Sequence, residues 1–299
     1  VLTAEDKDFI LFFREDLWRD KDMQLYAPAK INLSFEIKGR REDSFHEIET
    51  LMTPISLRDR LTIEQTPGKE GVQFSCDDPS LPDGENNLVV RAAKLFQKAI
   101  GTAGGLRIAL EKKIPHGAGL GGGSSDAAST LLGLNELFGT RFDQKNLIGL
   151  AAEIGSDVPF FIANTAAICR GRGELVSPIS LPRSFNLLLL KPDFGVPTTW
   201  AYGRWKDSRE LPEVNYAPQE FSGVRFVNDL ERPVFEKYVV LGYLKTWLRR
   251  QPEVGAALMS GSGSTVFAVI RDGADANQLV ARVRENVDRT LWACVCTSG

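Results

Sequence analysis

Five glycines fall within the seven residues from Gly117 to Gly123, and Ser124, Ser125 and Asp126 follow them directly. Glycine reaches positive φ without a Cβ clash and lets backbone come close to a ligand. Successive residues of this kind can turn several N–H groups toward one anion. The apolar spacing after the loop predicts a helix over 124–138, whose free N-terminal N–H groups would add to the same cradle. A strand over 106–110, ended by Pro115, is predicted just before it. Strand, glycine loop and helix N-terminus together read as a triphosphate site. The expected contacts run through Pro115, His116, Gly117, Ala118, Gly119, Leu120, Gly121, Gly122, Gly123, Ser124 and Ser125. One of the two serines could also serve as a magnesium ligand. A strand-to-helix turn needs one or two glycines for geometry alone, and five exceed that need.

Two other glycine loops are excluded. A Walker A loop carries lysine after its last glycine, whereas position 123 is glycine. Gly117, Gly119 and Gly122 satisfy GxGxxG, but a dinucleotide fold wants an acid at the tip of a following strand. Here a second helix is expected, over 143–154, so an oxidoreductase reading rests on that spacing alone.

The elements that must hold this loop alternate between strands and helices. Residues 31–38 alternate apolar and polar, with Ile31, Leu33, Phe35 and Ile37 on one face of a half-buried strand. Strands are also expected at 61–64, 72–76, 166–169, 185–191, 266–270 and 292–296. Helices are expected at 87–100, 197–205, 233–250 and 274–287, and a loop over 207–218. This order suggests an α+β chain of two lobes meeting near 165–185, with a substrate cleft between them. Residues 1–22 hold seven acids and four bases and match neither a secretory nor a transit signal, so they read as an extension or tag remnant.

The bulk composition bounds the partners. Thirty-six basic against 39 acidic residues leave a net charge of −3, without the basic field that collects nucleic acid. No apolar run approaches the length of a membrane span. Four cysteines without a CxxC pair, and only two histidines, argue against a zinc site and for reduced thiols in a cytoplasmic protein. A monomer or homodimer acting on a small molecule is expected.

Three segments carry a resemblance. Pro28-Ala29-Lys30-Ile31-Asn32-Leu33, the loop from Pro115 to Ala128, and Gly261-Ser262-Gly263-Ser264-Thr265-Val266-Phe267 resemble, in order and separation, the three motifs of the galactokinase, homoserine kinase, mevalonate kinase and phosphomevalonate kinase superfamily. The similarity runs from about Met23 to Cys296. Gly155-Ser156-Asp157-Val158-Pro159-Phe160-Phe161 and the triple glycine before Ser-Ser-Asp-Ala-Ala resemble the branch whose substrate is a cytidine diphosphate-linked polyol. The resemblance implies an N-terminal ATP-binding lobe over 23–170, a ferredoxin-like lobe over 171–299, and ATP with Mg2+ as the phosphoryl source.

It also implies roles for particular residues. Lys30 and Asp157 become the catalytic pair, although Lys30 alone reads as a strand lysine and Asp157 alone as a helix cap or turn residue. Asn32, two residues after Lys30 on the same strand face, would bind the substrate hydroxyls or orient Asp157. Phe45, His46 and Tyr202 would hold the pyrimidine, Phe45 standing where relatives carry tyrosine and Met52 where they often carry phenylalanine. Asn87 would line the adenine pocket, or else cap its helix. Gly261–Thr265 would bend a loop back toward the phosphates. Asp126 would help bind magnesium, or else answer the dipole of its helix as a first-turn acid. The metal ligands themselves stay unassigned. Another kinase of the superfamily, of homoserine or mevalonate type, and a non-catalytic sensor on the same fold are the alternatives. The aromatic pair favours a nucleotide-linked substrate over the first, and Lys30 with Asp157 argues against the second.

Overall fold

The computed structural model describes residues 23–299, so the reading of 1–22 lies outside the described residues. The chain runs β1 (Met23–Arg40), β2 (His46–Glu70), β3 (Val72–Cys76), α1 (Leu88–Ile100), β4 (Gly104–Glu111), α2 (Gly122–Leu137), α3 (Gln144–Ile154) and α4 (Val158–Ala163). It continues through β5 (Ala167–Gly171), β6 (Leu175–Pro178), β7 (Asn186–Lys191), α5 (Thr198–Arg204), β8 (Gln219–Phe221) and β9 (Val224–Asn228). It ends with α6 (Glu231–Lys237), α7 (Val239–Arg249), β10 (Val254–Met259), β11 (Val266–Ile270), α8 (Ala276–Asn286) and β12 (Trp292–Thr297).

The first sheet has eight strands. β3-β4-β2-β1-β9-β8 form one path, and β5 and β6 branch from β2. Helices α1 to α4 cover it through a core that includes Phe96, Leu131, Leu134 and Phe160. Each fully buried side chain of this size contributes roughly 1.5–3 kcal/mol. The second sheet, ordered β10-β11-β7-β12, is antiparallel at every pairing. Its connectivity, β7, helices, β10, β11, α8, β12, in the spatial order 4-1-3-2, is the ferredoxin-like pattern. The two-lobed α+β architecture is therefore the one expected. The expected division at residue 170 falls inside β5, and β6 still pairs within the first sheet. β8 and β9 also cross back, β9 running parallel to β1 at Ser34 and Phe35.

β1 differs from its expected half-buried face. Its pairing with β2 shifts register between Pro28 and Lys30 and again between Asn32 and Ser34. Such bulges re-aim side chains. Ile31 and Leu33 consequently face the inter-lobe core with Leu187, Leu189 and Phe267. Phe35 and Ile37, past the second bulge, join a different cluster with Leu188, Leu230 and Phe235. Both faces of residues 29–33 are buried, and the opposite face carries Lys30 and Asn32. The expected helix over 233–250 is two helices broken at Tyr238, whose ring stacks on Phe194 with centroids 5.1 Å apart. No helix among the described residues is long and apolar enough to cross a membrane.

Candidate active site

The glycine loop takes its shape from alternating backbone signs. Gly117, Gly119 and Gly121 have φ of 63°, 75° and 71°. A Cβ at Gly119 would run into Ser260 O and come within 3.0 Å of Gly263 O, and one at Gly121 would lie 2.9 Å from the Phe161 ring. These two glycines are thus required by conformation and by close packing at once. Helix α2 starts at Gly122, two residues before the expected start. Its first backbone bond is Ser125 N to Gly121 O, at 2.9 Å. The N–H groups of Gly122, Gly123 and Ser124 are therefore left free for an anion. The earlier start also moves Asp126 out of the first turn, so the helix dipole does not account for it.

The loop is held from three sides. Lys30 N donates to Leu120 O at 2.9 Å, and Thr265 N donates to Ala118 O at 3.2 Å. Ser260 Oγ donates to Gly119 O at 3.0 Å. The Gly-Ser-Gly-Ser-Thr segment thus braces the glycine loop as well as bordering the cleft through Gly261, Ser262 and Gly263.

A cleft of about 400 Å3 runs along this assembly. One end is lined by Asn86, Asn87 and Val89, the middle by the glycine loop, and the other end by Lys30, Asn32, Asp157, Arg172 and Tyr202. Pro115, His116, Gly117, Ala118, Gly119, Leu120, Gly121, Gly122, Gly123 and Ser124 all border it; Ser125 does not, its Oγ being buried without a partner.

At the far end Lys30 Nζ donates to Asn32 Oδ1 at 2.6 Å and lies 3.9 Å from Asp157 Oδ2. Asn32 Nδ2 donates in turn to Thr50 Oγ1 at 2.8 Å, and Thr50 Oγ1 to Ser34 O at 2.6 Å. Burial lowers the Lys30 ammonium below its ordinary range, against the opposing pull of the Asp157 carboxylate. Cys169, behind the pair, is pushed up to about 12, chiefly by burial. Asp157 stands at the N-cap of α4 but makes no capping hydrogen bond with its side chain. Its carboxylate is 40% exposed and faces the cleft, a disposition unlike that of a structural cap.

Asn87 does cap its helix. Its Oδ1 accepts from Val89 N at 2.9 Å and its Nδ2 donates to Pro82 O at 2.8 Å, so both ends of the amide are engaged while the residue borders the cleft. The aromatic group is not assembled as a sandwich. Tyr202 borders the cleft with His46 against it, ring centroids 5.1 Å apart and 31° between planes. Burial, then Asp157, raises the Tyr202 phenol, and burial with Arg40 and Lys206 lowers the His46 imidazole. Phe45 is 51% exposed and lies outside the cleft lining, with the Arg172 guanidinium 4.9 Å over its ring.

Sequence reasoning missed Asp59, Lys112 and Arg172. Lys112 Nζ pairs with Asp59 and, at 2.8 Å, with Asp126 Oδ2. No local pattern marks these residues. Only the β2–β4 register, which sets Arg60 opposite Glu111, brings Asp59 beside Lys112.

Residues 87–165 match the GHMP kinases N terminal domain, and 218–289 match the GHMP kinases C terminal. The fold is shared with homoserine kinase from Cytophaga hutchinsonii, 18% identical, with a TM-score of 0.66 over 97% of each chain. The chain is thus an ATP-dependent small-molecule kinase of the GHMP class. Within that class the chain belongs to the family of 4-diphosphocytidyl-2-C-methyl-D-erythritol kinases. It is 43% identical over 271 residues to the 4-diphosphocytidyl-2-C-methyl-D-erythritol kinase of Methylacidiphilum infernorum, covering 89% of this chain and 93% of that one. A crystal structure of 4-(cytidine 5'-diphospho)-2C-methyl-D-erythritol kinase superposes with a TM-score of 0.74 at 37% identity, covering 93% and 99% of the two chains.

Proposed function

We propose that this kinase transfers the γ-phosphoryl group of ATP to the 2-hydroxyl of 4-diphosphocytidyl-2-C-methyl-D-erythritol, in the non-mevalonate route to isoprenoid precursors. The observation that carries the reading is the uncapped Asp157 carboxylate, 3.9 Å from Lys30 Nζ at the end of a cleft walled by the glycine loop. Phosphoryl transfer asks chiefly for alignment and charge stabilisation. Asp157 accepts the proton of the acceptor hydroxyl as oxygen attacks phosphorus. Lys30, fixed by Asn32, places its charge beside both the carboxylate and the attacking oxygen. Gly117–Ser124 hold the triphosphate through backbone N–H groups, and the adenine end falls near Asn87. Tyr202, His46 and Phe45 receive the cytosine once their rings part.

Mg2+ fits the loop–helix junction. Asp126 borders the cleft there, its Oδ1 is buried without a hydrogen-bond partner, and it is an oxygen donor of the type Mg2+ takes. Among the described residues no group of three or more His, Cys, Asp or Glu could hold a metal, which suits an ion carried largely by nucleotide phosphates. When bound, it would neutralise charge on the phosphoryl oxygens. We draw the division between the lobes after β6, which pairs in the first sheet, and before β7, which pairs in the second, and assign the protein to the cytoplasm as a monomer or homodimer.

The test is an ADP-release assay across candidate alcohols. Turnover is expected with the cytidine diphosphate-linked polyol and not with the same polyol lacking cytidine diphosphate. Equal turnover of homoserine or mevalonate would overturn the substrate assignment while leaving the kinase class intact.

A further inference from the structure

Asp59, Lys112 and Asp126 form a second polar constellation beside the start of α2, distinct from the catalytic pair, with Lys112 and Asp126 bordering the same cleft. Their side chains are 0%, 8% and 3% exposed. Asp59 lies on β2, Lys112 just past β4, and Asp126 on α2. Asp59 Oδ1 accepts from Lys113 N at 2.6 Å and from Ile114 N at 2.8 Å, while Oδ2 accepts from Lys112 Nζ. Lys112 Nζ then donates across to Asp126 Oδ2 at 2.8 Å. A Cβ at Gly122 would lie 3.0 Å from Ile114 Cγ2 and 3.2 Å from Lys112 Nζ, so the segment entering the loop touches the residue that begins the helix leaving it. The loop between them is pinned at its base by one ammonium shared between two buried carboxylates.

Buried charges are expensive and persist only when paired. A position that served packing alone would be filled at lower cost by an apolar side chain. Here one ammonium is shared between two carboxylates that come from different elements, so the pairing fixes β2, the chain entering the loop and α2 to one another. The geometry explains why this arrangement suits the site. The free N–H groups of Gly122, Gly123 and Ser124 can converge on a phosphate only if the chain entering at 112–114 and the start of α2 keep a fixed separation.

We propose that Asp59, Lys112 and Asp126 are a charge clamp that sets the phosphate loop, with Lys112 as its positioning residue for ATP. The inference deepens the reading of the loop as an ATP cradle and rests on it. The clamp acts before chemistry, by holding the donors where the triphosphate will lie. Loss of the clamp therefore raises the KM for ATP and leaves turnover at saturating ATP close to normal.

The test uses the full chain with a non-hydrolysable ATP analogue and Mg2+ in calorimetry. Lys112→Met should weaken analogue binding at least about tenfold, as misplacement of positioned donors does. Its kcat at saturating ATP should stay within about threefold, and amide exchange over 115–124 should accelerate while the melting curve remains cooperative. Asp59→Asn separates the clamp from a direct role of Lys112 on phosphate. Its amide can still accept from Lys113 N and Ile114 N but leaves Lys112 half-held. The clamp predicts weaker binding, by about threefold; tighter binding would mean that a released Lys112 reaches the phosphate itself and would overturn the proposal. If Lys112→Met does not fold, Asp59→Asn decides alone. Wild-type affinity in the folded variants, or a loss of kcat in place of affinity, would also overturn it. Failure of the unaltered chain to bind the analogue would instead remove the ATP reading beneath it.

Discussion

The two ends of the cleft are built differently. At the phosphate end the working groups are backbone amides, fixed by three left-handed glycines, by hydrogen bonds to Leu120 O, Ala118 O and Gly119 O, and by a buried ion cluster at the base. At the acceptor end the recognition groups are side chains. Phe45 lies half-exposed beside Arg172, and His46 rests against Tyr202 where a base would enter. On the proposed reading the phosphate end is pre-organised, and the acceptor end admits its base by side-chain rotation. Lys30 and Asp157 sit at the seam, Lys30 locked by Asn32 and Asp157 left free to meet a hydroxyl.

This contrast can be broken by substitution, beginning where the effect is greatest. Asp157→Asn should lower turnover by about 10²–10⁴, the range of a lost general base, with ATP affinity unchanged. Rapid-quench measurement of the chemical step checks it, and a near-normal rate would remove Asp157 from the chemistry. Gly119→Ala puts a methyl group against Ser260 O at φ 75° and should weaken ATP binding by roughly tenfold or more. Calorimetry reads the loss, and wild-type affinity would show that the loop tolerates movement.

At the acceptor end Phe45→Ala should raise the KM for the cytidine-linked acceptor by a few-fold, on the order of one stacking contact, and leave the KM for ATP alone. The smallest effect concerns pH. Burial, with Arg40 and Lys206, holds His46 below its ordinary value of 6.5, so the imidazole is neutral at neutral pH and gains its proton only on acidification. The KM for the acceptor should therefore stay flat from about pH 7 to 8.5 and rise only in the acid range. An inflection in the flat range that disappears in His46→Gln would contradict the assigned state of His46.

What the sequence disclosed follows the same division. The glycine loop, the capped helix after Asn87 and the β11 strand are specified by residues next to one another, and periodicity or composition reveals them. β8, β9 and β10 are short or lie on both-sided cores, where no alternation marks them. The turn of Phe35 and Ile37 into another core depends on a bulge in β1, and the break at Tyr238 depends on stacking against Phe194 from a distant loop. Lys30 and Asp157 became meaningful through resemblance, since each alone reads as an ordinary strand or cap residue. Asp59 and Lys112 were invisible because their meeting depends on strand register across 53 residues. Of the aromatic group, Tyr202 borders the cleft, while Phe45 lies outside its lining with a ring orientation that is a matter of rotamer and neighbour.

The most direct measurement is an amide chemical-shift titration of the full chain with a non-hydrolysable ATP analogue. Backbone amides from Gly117 to Ser124 should show the largest shifts, saturating with one bound nucleotide, while Phe45 and His46 change little until a cytidine-linked acceptor is added. Saturable nucleotide binding that leaves the Gly117–Ser124 amides unmoved would contradict the assignment of this loop to the triphosphate.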